Sequence, residues 1–140
     1  MTYPFDEGPS VFTPPRPSTA ERSVAGSSKA HFCGHVAIGD GSGRGAISGA
    51  SARIVQVESH LELCWSLCLP LHPDIADLRE QVAFEWFDED GVYHTHFFDL
   101  LVTRTDGSRI ACTIRPAAQA GGHFARQMCR ISSQVRASRF

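Results

Sequence analysis

Asp99 is the residue of this chain whose type and position most strongly suggest chemistry. It lies in the apolar run HFFDLLV, at residues 96–102, where a buried carboxylate needs a cationic partner or a metal ion. Thr113 and Arg115 follow in the next apolar segment and add a hydroxyl oxygen and a guanidinium. Oxygen ligands suit Mg²⁺, whereas a guanidinium pairs directly with a carboxylate. The residues therefore leave two alternatives: a cation site, or an internal ion pair between Asp99 and Arg115.

Glu62 is a second carboxylate with a recognisable local role. Ser59 precedes it at the spacing of a capping box, in which the hydroxyl binds a backbone N–H and the carboxylate reaches back to the cap. We expect a helix over residues 59–69, ended by Pro70. Its apolar residues share one face: Leu61, Cys64, Trp65 and Cys68. We expect that face to pack in the core.

Three strand patterns follow this helix. Residues 81–87 alternate between two faces, as in a strand with one buried side. Asp106-Gly107 is a strong hairpin signal between further strands at 92–103 and 109–114. The segment before the first strand is typical of a connector, with one helical turn at 75–79.

A second helix is indicated near the end of the chain. Four apolar residues recur there at helical spacing: Phe124, Met128, Ile131 and Val135. Such a stripe can cover a sheet. The element order predicts an α+β fold, in which a three-stranded antiparallel meander is flanked by helices.

The composition favours a single domain at residues 31–138 of the 140-residue chain. Residues 1–30 hold five of the eight prolines and few large apolar side chains, which predicts a flexible Pro/Ser-rich arm. Two short strands are indicated at 35–38 and 53–57. Between them, the glycine-rich stretch 39–45 predicts a surface loop.

The chain lacks signals for membrane insertion or secretion. No apolar run approaches a membrane span, and the first residues lack the basic and apolar regions of a signal peptide. The five cysteines have no framework spacing, which suits free thiols in a reducing compartment. We expect a cytoplasmic protein without a membrane partner. A zinc site is a further alternative, although the spacings fit no common zinc motif; its ligands would come from His31, Cys33, His35, His94 and His96.

Charge is distributed unevenly along the chain, although the net charge is only −2. No acidic residue follows Asp106, and the last part of the chain carries six arginines: Arg109, Arg115, Arg126, Arg130, Arg136 and Arg139. A basic segment of this kind suits a phosphate backbone or an acidic protein partner. The simpler alternative is a solvated helix face in a chain with a single lysine, Lys29.

Five segments follow one another in a recognisable order. They are ESHLE at 58–62, PDIADLREQ at 73–81, DG at 90–91, HFFDLLV at 96–102 and IACTIRP at 110–116. This succession resembles the N-terminal domain of TnsA-type transposon endonucleases, over roughly residues 28–138. The resemblance implies a restriction-endonuclease-like core of the PD-(D/E)xK class, truncated here before the usual fourth strand.

The same resemblance implies a divalent metal. Mg²⁺ or Mn²⁺ would polarise the scissile phosphate and help to generate hydroxide. By position, Glu62 and Asp99 would be metal ligands, Thr113 the further strand ligand, and Arg115 would replace the catalytic lysine. A guanidinium stays protonated and transfers protons poorly, and Thr113 offers only a neutral hydroxyl. We therefore expect impaired catalysis, with a metal cofactor only if activity persists.

Three functions follow from these expectations. The first is a nuclease-like DNA-binding or accessory protein of a mobile-element or phage-type system, with backbone contacts from Arg115, Arg126 and Arg130. The second is an active metal-dependent endonuclease. The third is a structural adaptor, which docks a protein partner or a second copy through an unpaired sheet edge.

Overall fold

The structure is a computed structural model that describes residues 14–24, 32–39 and 52–138. It contains five strands, β1 (Gly34–Ile38), β2 (Arg53–Val57), β3 (Ile75–Phe87), β4 (Tyr93–Arg104) and β5 (Arg109–Cys112). The helices are α1 (His60–Cys68) and α2 (Gly122–Ala137), with short 3₁₀ turns at Leu69–Leu71 and Ala117–Gln119. The expected α+β class, with a three-stranded antiparallel sheet and two helices, is confirmed.

The strands form two antiparallel sheets. β1 pairs with β2, which confirms the two short strands, and β3, β4 and β5 form a meander in chain order. Gly107 has a φ of 85°, the left-handed conformation that the tight turn between β4 and β5 requires. The hairpin signal at Asp106-Gly107 is therefore confirmed.

β3 is much longer than the sequence indicated. The helical turn expected at 75–79 is wrong, because these residues form the first part of the strand. Leu78 is fully buried and pairs with Val102 of β4. The long β4 strand satisfies the backbone groups of this segment, and this tertiary pairing overrides a weak local preference.

Two apolar clusters make up the core. The first joins β1 and β2 to the sheet through Ile38, Val55, Val57, Leu78, Leu100 and Val102, with Leu63 of α1 against it. The second joins α2 to the sheet through Phe84, Trp86, Phe98 and Ile131. Met128 and Val135 also pack there, so α2 covers the sheet with three of the four residues of the expected stripe; Phe124 is not in the cluster. The two halves of the sheet thus pack against different elements, one against β1 and β2 and the other against α2.

The orientation of α1 differs from the expectation. Ser59 caps it as expected, but its buried residues are Glu62 and Ser66. Leu61 and Trp65 are 41% and 49% exposed, so the face that we expected to pack in the core is turned outward. The capping contacts of Glu62 and the inward packing of Leu63 fix the rotation of this short helix.

Residues 14–24 lie against the domain, although they belong to the segment expected to be a flexible arm. Arg16 exchanges backbone hydrogen bonds with Ala52 and Ile54, and Val24 is buried. The rest of that arm and the glycine-rich loop at 40–45 lie outside the described residues. Among the helices of the described ranges, none is long and apolar enough to cross a membrane.

Candidate functional site

Asp99 lies in the middle of β4 and is only 4% exposed. Its Oδ2 accepts a hydrogen bond of 2.7 Å from the backbone N–H of Ile114, just beyond β5. The Nη1 of Arg115 lies 3.5 Å from the same oxygen. The ion pair expected as one alternative is therefore present, but the shorter contact is the backbone hydrogen bond.

The electrostatic environment disfavours the charged form of Asp99. The pKa of Asp99 is raised to about 6, mainly by burial and to a smaller extent by the nearby carboxylates of Glu62 and Glu58. The Ile114 N–H and the Arg115 guanidinium act in the opposite direction and do not prevent the rise. Desolvation without full compensation is the physical cause.

Glu62 is buried and serves the start of α1. Its Oε2 accepts from the backbone N–H of Glu58 at 2.9 Å, and its Oε1 accepts from the hydroxyl of Ser59 at 3.0 Å. The Glu62 N–H donates to that hydroxyl at 3.1 Å. The capping role is confirmed, with one difference: the carboxylate reaches Glu58, one residue before the cap. Both of its oxygens thus have partners within the chain.

Thr113 is held by a histidine. Its Oγ1 lies 2.9 Å from Nε2 of His96 on β4. Burial lowers the pKa of His96, and the charge of Arg115 lowers it further; both effects favour the neutral imidazole. The ring also meets Phe98 edge-on, with centroids 4.8 Å apart. The Thr113 hydroxyl is therefore directed at an imidazole.

Arg115 remains partly accessible. Its side chain is 41% exposed, and its Nη1 donates to the carbonyl of Ile114 at 2.8 Å. The guanidinium lies 5.7 Å from the ring centroid of Phe124, near the start of α2. Arg115 thus links the acidic site to this helix while keeping a face toward solvent.

These side chains do not form a cation-binding set as arranged. The described residues contain no group of three or more His, Cys, Asp or Glu side chains placed to hold a metal ion. Glu62 uses both oxygens for capping, and Thr113 is bound to His96. The arrangement does support an internally bonded carboxylate beside an exposed guanidinium.

A polar network that the sequence did not reveal lies beside this site. Arg22 donates through Nε to Oε1 of Gln81 at 2.7 Å, and through both terminal nitrogens to Glu58. Glu80 and Gln81 are fully buried, and Ser18 donates to Glu80. No local pattern signals this network, because its partners come from distant parts of the chain.

A second cleft lies between the tip of the β3–β4 hairpin and α2. It has a volume of about 500 Å³, and Asp88, His94, His123 and Arg126 are among its lining residues. Arg126 is exposed. Arg130, which lines the same cleft, donates to the carbonyls of Phe87 at 2.9 Å and Asp88 at 2.6 Å. Two of the arginines expected to contact DNA thus have different surroundings: Arg130 connects α2 to the hairpin through hydrogen bonds, whereas Arg126 is exposed to solvent.

Comparisons with protein-family models, with curated proteins and with solved structures gave no match. The chemistry open to this chain therefore rests on its own geometry. That geometry combines a buried carboxylate, bonded within the chain, with an arginine-bearing helix that carries no acidic side chain.

Proposed function

We propose that this chain is a catalytically impaired, nuclease-like protein that binds DNA in a mobile-element or phage-type system. One observation carries the proposal: each position expected to serve a metal already has a partner within the chain. Asp99 accepts from Ile114, Glu62 caps α1, and Thr113 binds His96. Hydrolysis of a phosphodiester by a metal-held hydroxide needs ligands that are available to the ion.

The order of elements supports a restriction-endonuclease-like origin. A capped helix, a three-stranded antiparallel meander and a second helix follow one another in the chain. Asp99 on the middle strand and Arg115 just beyond the next strand lie side by side, where the PD-(D/E)xK resemblance requires an acid and a lysine. The TnsA-type ancestry is part of this proposal.

The exposed side of α2 supports DNA binding. Arg126 and Arg136 lie on it, and neither α2 nor the segment that leads into it contains an acidic residue. Arg115 extends this surface toward the sheet. Arginines spread over such a face neutralise phosphates without reading base sequence, so binding would be non-specific and would weaken with salt.

Duplex binding is tested by fluorescence anisotropy with a labelled 20-base-pair DNA across a salt series. We expect binding at low salt, with an affinity that falls linearly against the logarithm of salt concentration. The matched comparison is the variant Arg126→Ala/Arg136→Ala, which should bind more weakly and with a shallower slope. Absence of wild-type binding at low salt would reject the DNA proposal.

Catalysis is tested separately on supercoiled plasmid with Mg²⁺ or Mn²⁺. We expect equal background nicking from the wild type and from Asp99→Asn, a variant that keeps an acceptor for the Ile114 N–H. Nicking by the wild type that Asp99→Asn abolishes would instead establish the active endonuclease. That result would leave the DNA-binding surface intact as a substrate site.

A further inference from the structure

An apolar groove runs between α1 and the sheet edge at β5. Its walls expose large apolar side chains: Leu61 is 41% exposed, Trp65 49% and Ile110 48%. Two adjoining depressions of about 280 and 290 Å³ share Trp65 and Leu69 and form one continuous groove. A contiguous exposed apolar surface of this kind is typical of a protein-interaction site.

β5 is the edge strand beside this groove. It pairs with β4, and no other strand in the described part of the chain lies on its far side. Arg104 donates from its backbone to the carbonyl of Ser108 at 2.8 Å, so even-numbered residues of β5 direct their backbone groups at β4. Ala111 lies between Ile110 and Cys112, so its N–H and C=O point away from β4, where a further strand can pair with them.

The charges at the two ends of β5 decide what fits there. Asp106 lies in the turn before the strand, and Arg115 lies just after it. A second copy of β5 can pair with the first in the antiparallel direction, with the two Ala111 residues opposite each other. Gly107 then lies opposite the partner's Arg115, because both residues are four positions from Ala111. Asp106 of each copy then lies next to Arg115 of the other copy, so the twofold symmetry gives two such contacts.

We propose that the occupant of this groove is a second copy of the chain, joined through β5 in a twofold-symmetric, continuous six-stranded sheet. A twofold axis perpendicular to the sheet keeps both α1 helices on one face. Trp65 and Leu61 of each copy then cover the junction of the two β5 strands. Because the two strands run in opposite directions, the groove of each copy meets the groove of the other, and Asp106 of each copy meets Arg115 of the other. This dimer does not depend on DNA binding.

The test measures oligomeric state by sedimentation equilibrium of the full chain over a range of concentrations. We expect a monomer–dimer equilibrium that Trp65→Ala weakens by about tenfold or more, as for a buried aromatic at an interface centre. Trp65 is half exposed, so this variant is not expected to unfold the domain, and circular dichroism verifies that. A wild type that stays monomeric, or a Trp65→Ala variant that dimerises equally well, overturns the proposal.

The pairing of Asp106 with the partner's Arg115 is tested by charge exchange. Asp106→Arg alone and Arg115→Asp alone each place like charges together, and each should dimerise more weakly than the wild type. A mixture of these two variants restores opposite charges at both ends, so it should form mixed dimers. Single variants that dimerise as tightly as the wild type, or a mixture no tighter than its components, rule out this arrangement. An apolar peptide from another protein would then be the alternative occupant.

Discussion

Gln81 of β3 and Asp99 of β4 fall in the same gap in the register of these two strands, and Gln81 has a φ of 50°. The pairs on either side are Glu80 with Leu100 and Val82 with Phe98. A left-handed backbone is uncommon for a residue other than glycine and marks a local break in the strand. The buried carboxylate thus lies at the point where the meander is irregular.

This irregularity separates the two core clusters. On β5 the neighbours Ala111 and Cys112 belong to different clusters, as expected for opposite faces of a strand. On β4, however, Phe98 and Leu100 also belong to different clusters, although residues two apart in a regular strand share a face. The side-chain alternation of β4 is therefore interrupted at Asp99.

The raised pKa of Asp99 predicts a pH-dependent stability. Its value of about 6 exceeds the usual 3.8, so the native state holds a proton that the unfolded chain has lost between these values. Asp99 therefore stabilises the fold most at low pH, and about 3 kcal/mol of this contribution is lost as the pH rises through 6. Urea unfolding of the wild type and of Asp99→Asn between pH 4 and pH 8 measures it.

The difference between these two proteins isolates Asp99 from other titrating groups. The contribution of His96 to stability changes with pH in the opposite direction. The pKa of His96 is lowered in the native state, so its contribution is lost as the pH falls below the unfolded value of 6.5. We expect Asp99→Asn to gain stability relative to the wild type as the pH rises. A constant difference across the range would contradict the raised pKa.

The contact between Thr113 and His96 predicts a stability effect without a metal. Thr113→Val keeps the shape of the side chain but removes the partner of a half-buried imidazole. We expect a loss of about 1–2 kcal/mol in the free energy of unfolding. Thr113→Ser retains the hydroxyl and should lose less. Equal losses in the two variants would show that the methyl group, and not the hydrogen bond, is responsible.

The two cleft arginines should behave differently when they are replaced. Arg130→Ala removes two hydrogen bonds to hairpin carbonyls and should lower the free energy of unfolding by about 1–2 kcal/mol. Arg126→Ala should leave stability within about 0.5 kcal/mol and reduce the salt slope of DNA binding by up to about 1. Thermal unfolding and anisotropy of both variants check this. Equal stabilities of the two variants would contradict the fastening role of Arg130.

The contacts of Arg22 predict that residues 14–24 contribute to stability. Arg22→Ala leaves the buried Gln81 and the carboxylate of Glu58 without this partner, and we expect a loss of about 1–3 kcal/mol. Arg16→Ala is the matched control, because Arg16 is exposed and contacts β2 through its backbone. Chemical denaturation of both proteins is the measurement. An effect of Arg22→Ala no larger than that of the control would mean that this segment contributes little.

Much of the local structure follows from the sequence by itself. Ser59 and Glu62 specify the start of α1, Asp106-Gly107 specifies the hairpin, and the stripe ending at Val135 specifies the buried face of α2. Each of these signals depends on residues a few positions apart, whose geometry is set by helical or turn periodicity. The pairing of Asp99 with Arg115 could also be anticipated, since Arg115 follows directly on the apolar segment predicted to pair with the strand of Asp99.

Other features were decided only by tertiary structure. The length of β3 depends on its pairing with β4. Which face of α1 is exposed depends on which side of the helix packs against the rest of the domain. The partners of Thr113 and Gln81 come from His96 and Arg22, which lie 17 and 59 residues away in the chain. No local pattern encodes contacts over such separations, because they form only when the whole fold brings the strands and residues 14–24 together. The sequence thus determined which groups could do chemistry, and the tertiary structure determined that the groups described here bind one another.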